Sequence, residues 1–108
     1  KDRGILYLKK NLFTKAIDDF TKNIEFSKEV NNKKKVNLFN NSELGLVYFY
    51  RGYAYAKNNY LKQAIEDFDK AANLNPLSFN KSMINKLDGE IKDILKTKLA
   101  LLRLFFIE

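Results

Sequence analysis

One stretch, residues 45–76, constrains the fold of this chain more than any other. It reads GLVYFYRGYAYAKNNYLKQAIEDFDKAANLNP, which predicts an amphipathic helix rich in aromatic residues, an Asn-Asn turn, a second amphipathic helix and a terminal proline. Small residues stand at Gly52, Ala64 and Ala71. Helix axes about 8–10 Å apart leave no room for side chains where they cross, so these small residues favour a helical hairpin. The large residues expected to fill the space between the helices are Tyr48, Tyr55, Tyr60 and Phe68.

The same design occurs a second time, 48 positions earlier in the chain. A shift of 48 positions lays residues 1–26 on residues 49–74 and aligns ten identical pairs. They are Arg3/Arg51, Gly4/Gly52, Tyr7/Tyr55, Lys9/Lys57, Asn11/Asn59, Ala16/Ala64, Ile17/Ile65, Asp19/Asp67, Phe20/Phe68 and Lys22/Lys70. Self-similarity of this kind indicates a repeat architecture, here two helical hairpins. In each hairpin the first helix is expected to end near Lys9 or Lys57. A short turn that contains Asn follows, and the second helix begins near Leu12 or Tyr60.

Apolar residues recur at helical spacing in each predicted second helix, which indicates one buried face per helix. The two stripes are Phe13, Ala16, Ile17, Phe20 and Ile24, and Leu61, Ala64, Ile65, Phe68, Ala71 and Ala72. The solvent-facing side is predicted to carry Asp18, Asp19, Lys22, Glu66, Asp67 and Lys70. Because the lysines neighbour the carboxylates at helical spacing, surface ion pairing is favoured over an acid–base or metal site. Pro76 is expected to end the second hairpin, since proline cannot continue a helix and restricts Asn75 before it.

The chain is predicted to be a single domain of four parts. These are a first hairpin with an extended second helix (residues 1–30), an insertion (31–44), a second hairpin (45–76) and a C-terminal capping helix with an apolar tail (77–108). The extended helix is expected to reach about Val30. Ser42 is the expected N-cap of the next helix, with Glu43 near the positive end of that helix. The segment 99–107, from Leu99 to Ile107, is too apolar for a solvated end and is expected to be buried.

The composition excludes several classes of function. The chain contains neither Cys nor His, which rules out disulfides, thiolate metal sites, thiol nucleophiles and the commonest general base. It has no glycine-rich phosphate loop and no nucleophile motif, so the sequence predicts no enzyme, no cofactor and no metal. An apolar signal segment is lacking, and no apolar run reaches the roughly 20 residues of a membrane span, from which a cytoplasmic protein is expected.

The formal net charge of +7 suggests an acidic partner. The basic run is Lys33, Lys34 and Lys35, within the insertion. A nucleic-acid site would need aromatic stacking partners or a longer basic stripe nearby. A solvated loop is therefore favoured, and binding of nucleic acid or an acidic surface through the insertion is the weaker alternative.

At these residues the chain resembles the tetratricopeptide repeat family. In the 34-position register of that family, residues 45–76 supply the expected residue at positions 4, 8, 11, 20, 24, 27 and 32. These are Tyr48, Gly52, Tyr55, Ala64, Phe68, Ala71 and Pro76. Position 7 is Arg51 where Leu is typical. The first copy keeps Gly4, Tyr7, Ala16 and Phe20, but has Asn23 and Lys28 in place of the usual Ala and Pro. The resemblance implies an all-α fold, a fragment of a right-handed superhelix of helical hairpins with a C-terminal capping helix, and a non-catalytic scaffold that binds another protein.

The resemblance also implies a concave groove lined by the first helix of each repeat. Carried over position by position, the groove consists of Ile5, Leu8 and Lys9 from the first copy (with Lys1 at its start) and Leu46, Phe49, Tyr53, Ala56 and Lys57 from the second. This groove has an apolar floor with Lys9 and Lys57 on its edge, which suits a helix or an extended apolar peptide with one or two acidic contacts. The family's carboxylate clamp for acidic chaperone tails is not matched, because Ile5 and Tyr53 replace its asparagines.

Two alternatives are open for the C-terminal segment 99–107. It either fills the groove of its own chain or packs against a second copy, in which case the chain is a self-association module and a homodimer. The leading hypothesis is a protein-binding scaffold, and self-association is its rival.

Overall fold

The computed structural model describes residues 2–32 and 41–75, together with the single residues 89, 92, 93 and 96. Within this part of the chain the structure consists of helices and turns, with no strand. The described ranges form four helices: α1 (Asp2–Lys9), α2 (Phe13–Asn32), α3 (Asn41–Lys57) and α4 (Leu61–Leu74). The four single residues are helical as well. The prediction of an all-α fold built from helical hairpins is confirmed.

The two hairpins close through the same turn. In each, the last turn residue is an asparagine with positive φ, 60° at Asn11 and 64° at Asn59. Asparagine enters the left-handed region more readily than most residues, so it suits this position. The next residue then donates its backbone N–H to a carbonyl of the first helix, Leu12 to Tyr7 and Tyr60 to Tyr55, each at 2.9 Å. The helix boundaries at Lys9 and Lys57 agree with the sequence expectation.

The connection between the hairpins differs from the expectation at both ends. Helix α2 continues to Asn32, and α3 already begins at Asn41. Ser42 therefore lies inside the first turn of α3 and is not its N-cap, whereas Glu43 occupies the first turn as expected. The side chain of Ser42 has another role, because its Oγ and its backbone oxygen both accept hydrogen bonds from Nδ2 of Asn75, at 3.1 Å each. This contact ties the start of α3 to the end of α4.

The helices of each hairpin touch where the first helix has a glycine. A Cβ atom on Gly4 would lie 2.6 Å from Cε1 of Phe20, and a Cβ on Gly52 would lie 2.9 Å from Cε1 of Phe68. Both rings fill the space that a side chain would otherwise need, and both are fully buried. The two hairpins therefore share one packing arrangement. Fully buried alanines line the same core, at Ala16, Ala54, Ala64 and Ala71.

The second hairpin packs on the first through α2 and α3. The ring of Phe20 in α2 stacks on that of Tyr50 in α3, with centroids 6.0 Å apart and an interplanar angle of 19°. Pro76, the Lys33–Lys34–Lys35 run and the segment 99–107 lie outside the described residues, so the predictions made for them stay predictions.

Candidate interaction surface

The residues predicted to line the groove differ widely in exposure. The buried members are Leu8, Phe49, Tyr53 and Ala56, with 8%, 0%, 8% and 9% of their surface exposed. The half-buried members are Ile5, Leu46 and Lys57, and Lys9 is exposed. The members of the predicted groove that keep exposed surface are therefore Ile5, Leu46, Lys9 and Lys57, and we call these four residues the rim.

Phe49 was expected on the groove floor, but the structure gives its side chain no exposed surface. Its ring centroid lies 5.5 Å from that of Phe68 in α4 and 6.1 Å from that of Tyr50. Aromatic pairs at such distances stabilise a core beyond the area that they bury. The side chain therefore acts in the packing of α3 on α4.

Lysine and tyrosine meet at the end of α3. Nζ of Lys57 lies 5.9 Å from the centroid of the Tyr53 ring, which is within range of a cation–π interaction. Burial of the Tyr53 side chain raises the pKa of its hydroxyl, so the hydroxyl stays protonated and the side chain stays neutral beside the lysine. Lys9 occupies the equivalent place in the last turn of α1. Each first helix thus ends in a cation, where the negative end of the helix dipole also favours positive charge.

An ion pair inside each hairpin was missed by the sequence analysis. Nε and Nη2 of Arg51 donate to the two carboxylate oxygens of Asp67 at 2.7 and 2.8 Å. Arg3 and Asp19 form the same two-pronged pair at 2.6 and 2.9 Å. The placement of Asp19 and Asp67 on the solvent-facing side was wrong, since only 9% and 2% of their surfaces are exposed.

The two carboxylates are in different electrostatic environments. The hydrogen bonds from Arg3 lower the pKa of Asp19 below its usual value. Burial raises the pKa of Asp67, although the hydrogen bonds and the charge of Arg51 act in the opposite direction. The difference follows from the depth of each pair, because burial penalises the charged form of a carboxyl group.

Arg51 connects three helices. Its guanidinium lies over two rings of α3, 5.4 Å from the centroid of Tyr48 and 5.5 Å from that of Tyr55. Nη1 donates to Oγ1 of Thr21 in α2 at 3.3 Å, while the other two nitrogens hold Asp67 in α4. The arrangement is structural, because each of the three guanidinium nitrogens of Arg51 donates to a side chain of the same chain. A sequence signal for it existed, since both Arg/Asp pairs recur at the repeat distance of 48 positions.

The described residues contain no cluster of three or more His, Cys, Asp or Glu side chains that could hold a metal ion. None of the described helices combines the length and the apolar character that a membrane crossing requires.

Comparison with known proteins identifies a family for part of the chain. The family model of the tetratricopeptide repeat matches residues 45–78. Comparisons with curated proteins and with solved structures found no match. The matched segment contains most of α3 and all of α4, with the Gly52–Phe68 contact and the Asn turn between the helices. The hairpin of α3 and α4 is therefore a repeat of the tetratricopeptide type.

Proposed function

We propose that this chain is a non-catalytic adaptor that binds another protein along the rim formed by α1 and α3. A tetratricopeptide-type repeat indicates a scaffold for protein–protein interaction, and such repeats are generally not catalytic. The observation that carries the proposal is the pair of equivalent lysines at the ends of the two first helices, Lys9 exposed and Lys57 placed over Tyr53.

The rim defines the chemistry of the partner. Ile5 and Leu46 offer half-buried apolar surface, and the two lysines add positive charge beside it. A peptide or helix with a short apolar face and one or two carboxylates complements both features. Recognition of this kind gains most of its affinity from the apolar contact, whereas the charges favour the correct orientation and speed association.

The test begins with peptides selected on the intact chain from a phage-displayed random library. We expect the selected peptides to combine apolar and acidic residues. Their affinity should fall about tenfold when Lys9→Glu and Lys57→Glu are combined. The matched control combines Lys28→Glu and Lys62→Glu, which make the same two charge reversals at exposed sites on α2 and α4. If the control weakens binding as much as the rim variants do, the rim is not the binding surface.

Phe49→Ala is unsuitable for this test. Because the ring is fully buried against Phe68, its removal would leave a cavity and cost stability, about 3–5 kcal/mol for a Phe in a core. A weaker interaction in that variant would report on folding and not on the surface.

Self-association through the segment 99–107 is the alternative. Light scattering of the intact chain and of a chain that ends after Lys98 separates the two functions. A dimer that becomes a soluble monomer on truncation would favour self-association over the adaptor.

A further inference from the structure

The two hairpin turns lie side by side at one edge of the structure. Nδ2 of Asn58, in the second turn, donates to Oγ1 of Thr14, just after the first turn, at 3.2 Å. A second hydrogen bond, from Arg51 to Thr21 at 3.3 Å, lies seven residues further along α2 and seven residues back along α3. The two helices are therefore antiparallel, and the end of α3 lies beside the start of α2.

The lysines at this edge are not balanced by carboxylates. We define the turn edge as the segments 9–15 and 57–63, which read KKNLFTK and KNNYLKQ. They contain five lysines and neither aspartate nor glutamate. Four of these lysines are exposed, and Lys57 is half-buried. The next carboxylates along the chain, Asp18 and Glu66, lie about one turn further into α2 and α4. The turn edge therefore presents positive charge to a partner that approaches the helix ends.

Three apolar side chains are exposed among these lysines. Leu12, Tyr60 and Leu61 have 40%, 51% and 41% of their surface exposed. Their backbone is fixed by the turns, because Leu12 and Tyr60 each donate a backbone N–H to the preceding helix at 2.9 Å. The ring of Tyr60 also contacts that of Tyr55, with centroids 6.1 Å apart. A partner that covers these side chains therefore has little backbone entropy to remove.

The stacking of hairpins leaves the turn edge uncovered. Helices α2 and α3 pack through their sides, where the ring of Phe20 stacks on that of Tyr50. A hairpin stacked in the same way lies beside the turn edge and not over it. The turn edge shares Lys9 and Lys57 with the rim, but its apolar residues are different from those of the rim.

From this combination we propose that the turn edge binds the surface of an anionic phospholipid bilayer. Leu12 and Leu61 insert at the boundary between the head groups and the acyl chains. Tyr60 lies at the level of the head groups, which favours rings with one polar end. The lysines reach the lipid phosphates, since their long apolar stems can follow the surface. Binding then has two sources, the apolar area that is buried and the attraction to anionic lipid.

The leucines favour a bilayer over nucleic acid as the partner. Single-stranded nucleic acid is held by aromatic rings on which the bases stack. Two of the three exposed apolar side chains at the turn edge are leucines, which offer no such ring. A lipid surface, in contrast, accepts aliphatic and aromatic groups alike.

The test is co-sedimentation of the intact chain with vesicles of phosphatidylcholine and phosphatidylserine. We expect binding that weakens at high salt and is absent with phosphatidylcholine alone. Leu12→Gln combined with Leu61→Gln should lower the affinity about tenfold or more. The matched control, Leu6→Gln with Phe26→Gln, changes two other exposed apolar residues and should stay within about threefold of the wild type. Circular dichroism verifies that both variants remain helical.

A second pair of variants tests the charge. Lys10→Gln with Lys62→Gln should lower the affinity about tenfold. Lys22→Gln with Lys28→Gln removes the same charge from exposed sites on α2 and should stay within about threefold of the wild type. Peptides selected on the rim should bind the Lys10 and Lys62 variant as they bind the wild type, so this proposal and the adaptor function can fail separately.

Insertion is measured directly, because the chain contains no cysteine. An environment-sensitive dye on Leu12→Cys should shift its emission to the blue when vesicles are added, and the same dye on Phe26→Cys should not. Absent vesicle binding, or an equal loss in the target and control variants, would overturn the proposal. Binding that depends on the lysines but ignores the leucines, and that single-stranded DNA abolishes, would show that the turn edge takes a polyanion instead.

Discussion

The buried pair of Arg51 and Asp67 gives the sharpest prediction. The side chains of the two residues are 14% and 3% exposed, so removal of either one would leave the other as a largely desolvated charge without its partner. Removal of one partner of a buried pair costs about 3–5 kcal/mol, whereas replacement of both by apolar residues is often neutral. We expect Arg51→Leu and Asp67→Ala each to lower the free energy of unfolding by about that amount. The double variant should lose far less stability than the two single variants lose together, which corresponds to a coupling energy of about 3 kcal/mol.

The two single variants should differ in their dependence on pH. In Arg51→Leu the carboxyl of Asp67 is left buried without its cation, and burial already raises its pKa. A carboxyl whose pKa is higher in the folded state stabilises the fold below its unfolded pKa of about 4, and this stabilisation is lost as pH rises through the folded value. Arg51→Leu should therefore recover stability on acidification. Asp67→Ala should not, because no carboxyl remains at that site.

The chain supplies a matched control in the pair of Arg3 and Asp19. Its hydrogen bonds have nearly the same lengths, but the Arg3 side chain is 66% exposed. Solvent-exposed pairs contribute little to stability, so Arg3→Leu and Asp19→Ala should show a much smaller coupling. Urea unfolding followed by circular dichroism measures the double-mutant cycles of both pairs. The slope of the unfolding free energy against urea concentration indicates whether a variant has changed the unfolded state. Equal coupling energies in the two cycles would refute the argument from burial.

Four further predictions concern single sites. Gly52→Ala should destabilise the fold by about 1–3 kcal/mol in urea unfolding, because the new Cβ would lie 2.9 Å from the Phe68 ring and 3.2 Å from the carbonyl oxygen of Ala64. Gly89→Ala should stabilise it by up to about 1 kcal/mol, since Gly89 is helical and a Cβ there would meet no atom of the described residues within 4 Å. The opposite order of stability for the two glycine variants would contradict the packing. Ser27→Ala should raise the free energy of unfolding by about 1 kcal/mol, because the Ser27 hydroxyl is buried and has no hydrogen-bond partner among the described residues. A loss of stability in this variant would reveal a partner. Asp19 has a lowered pKa, so its contribution to stability is present above about pH 4 and is lost as pH falls through the folded value. An acid titration should therefore destabilise the wild type more than Asp19→Asn, and equal acid profiles would exclude this role.

The hairpins and their turns could be predicted from sequence because they depend on local patterns. The shift of 48 positions aligns the glycines, the aromatic residues and the turn asparagines that fix the two hairpins. Asn11 and Asn59 show this clearly, since the left-handed conformation that ends each first helix needs a residue of that kind. The first turn of α3 could not be located in this way. Ser42 has the chemistry of an N-cap, but its oxygens bind Asn75, which is 33 residues away.

The ion pairs were misread for a physical reason. Asp19 directly follows Asp18, and Asp67 directly follows Glu66, so the charge pattern of each helix predicts a solvated position for both aspartates. Periodicity describes the direction of a side chain on its own helix and carries no information about an arginine 16 residues earlier on the neighbouring helix. Besides the recurrence of both pairs at 48 positions, the departure of Arg51 from the usual leucine was a second available signal. A buried arginine requires a buried acceptor, and the repeated aspartate was the candidate.

The two hairpins show how much of a repeat's stability comes from its neighbour. They share the glycine contact, the turn and the ion pair, and they differ in that α2 packs on α3 through Thr21 and Phe20. In helical repeat proteins, stability is approximately the sum of each repeat's own stability and the interface with its neighbours. The face of α1 that corresponds to that interface is exposed, so α1 should open at lower free energy than α3. Hydrogen exchange at the amides of Leu8 and Ala56, which are equivalent positions, should therefore be faster at Leu8. Equal exchange rates would show that the interface of α2 with α3 adds no stability to α3 beyond that of its own hairpin.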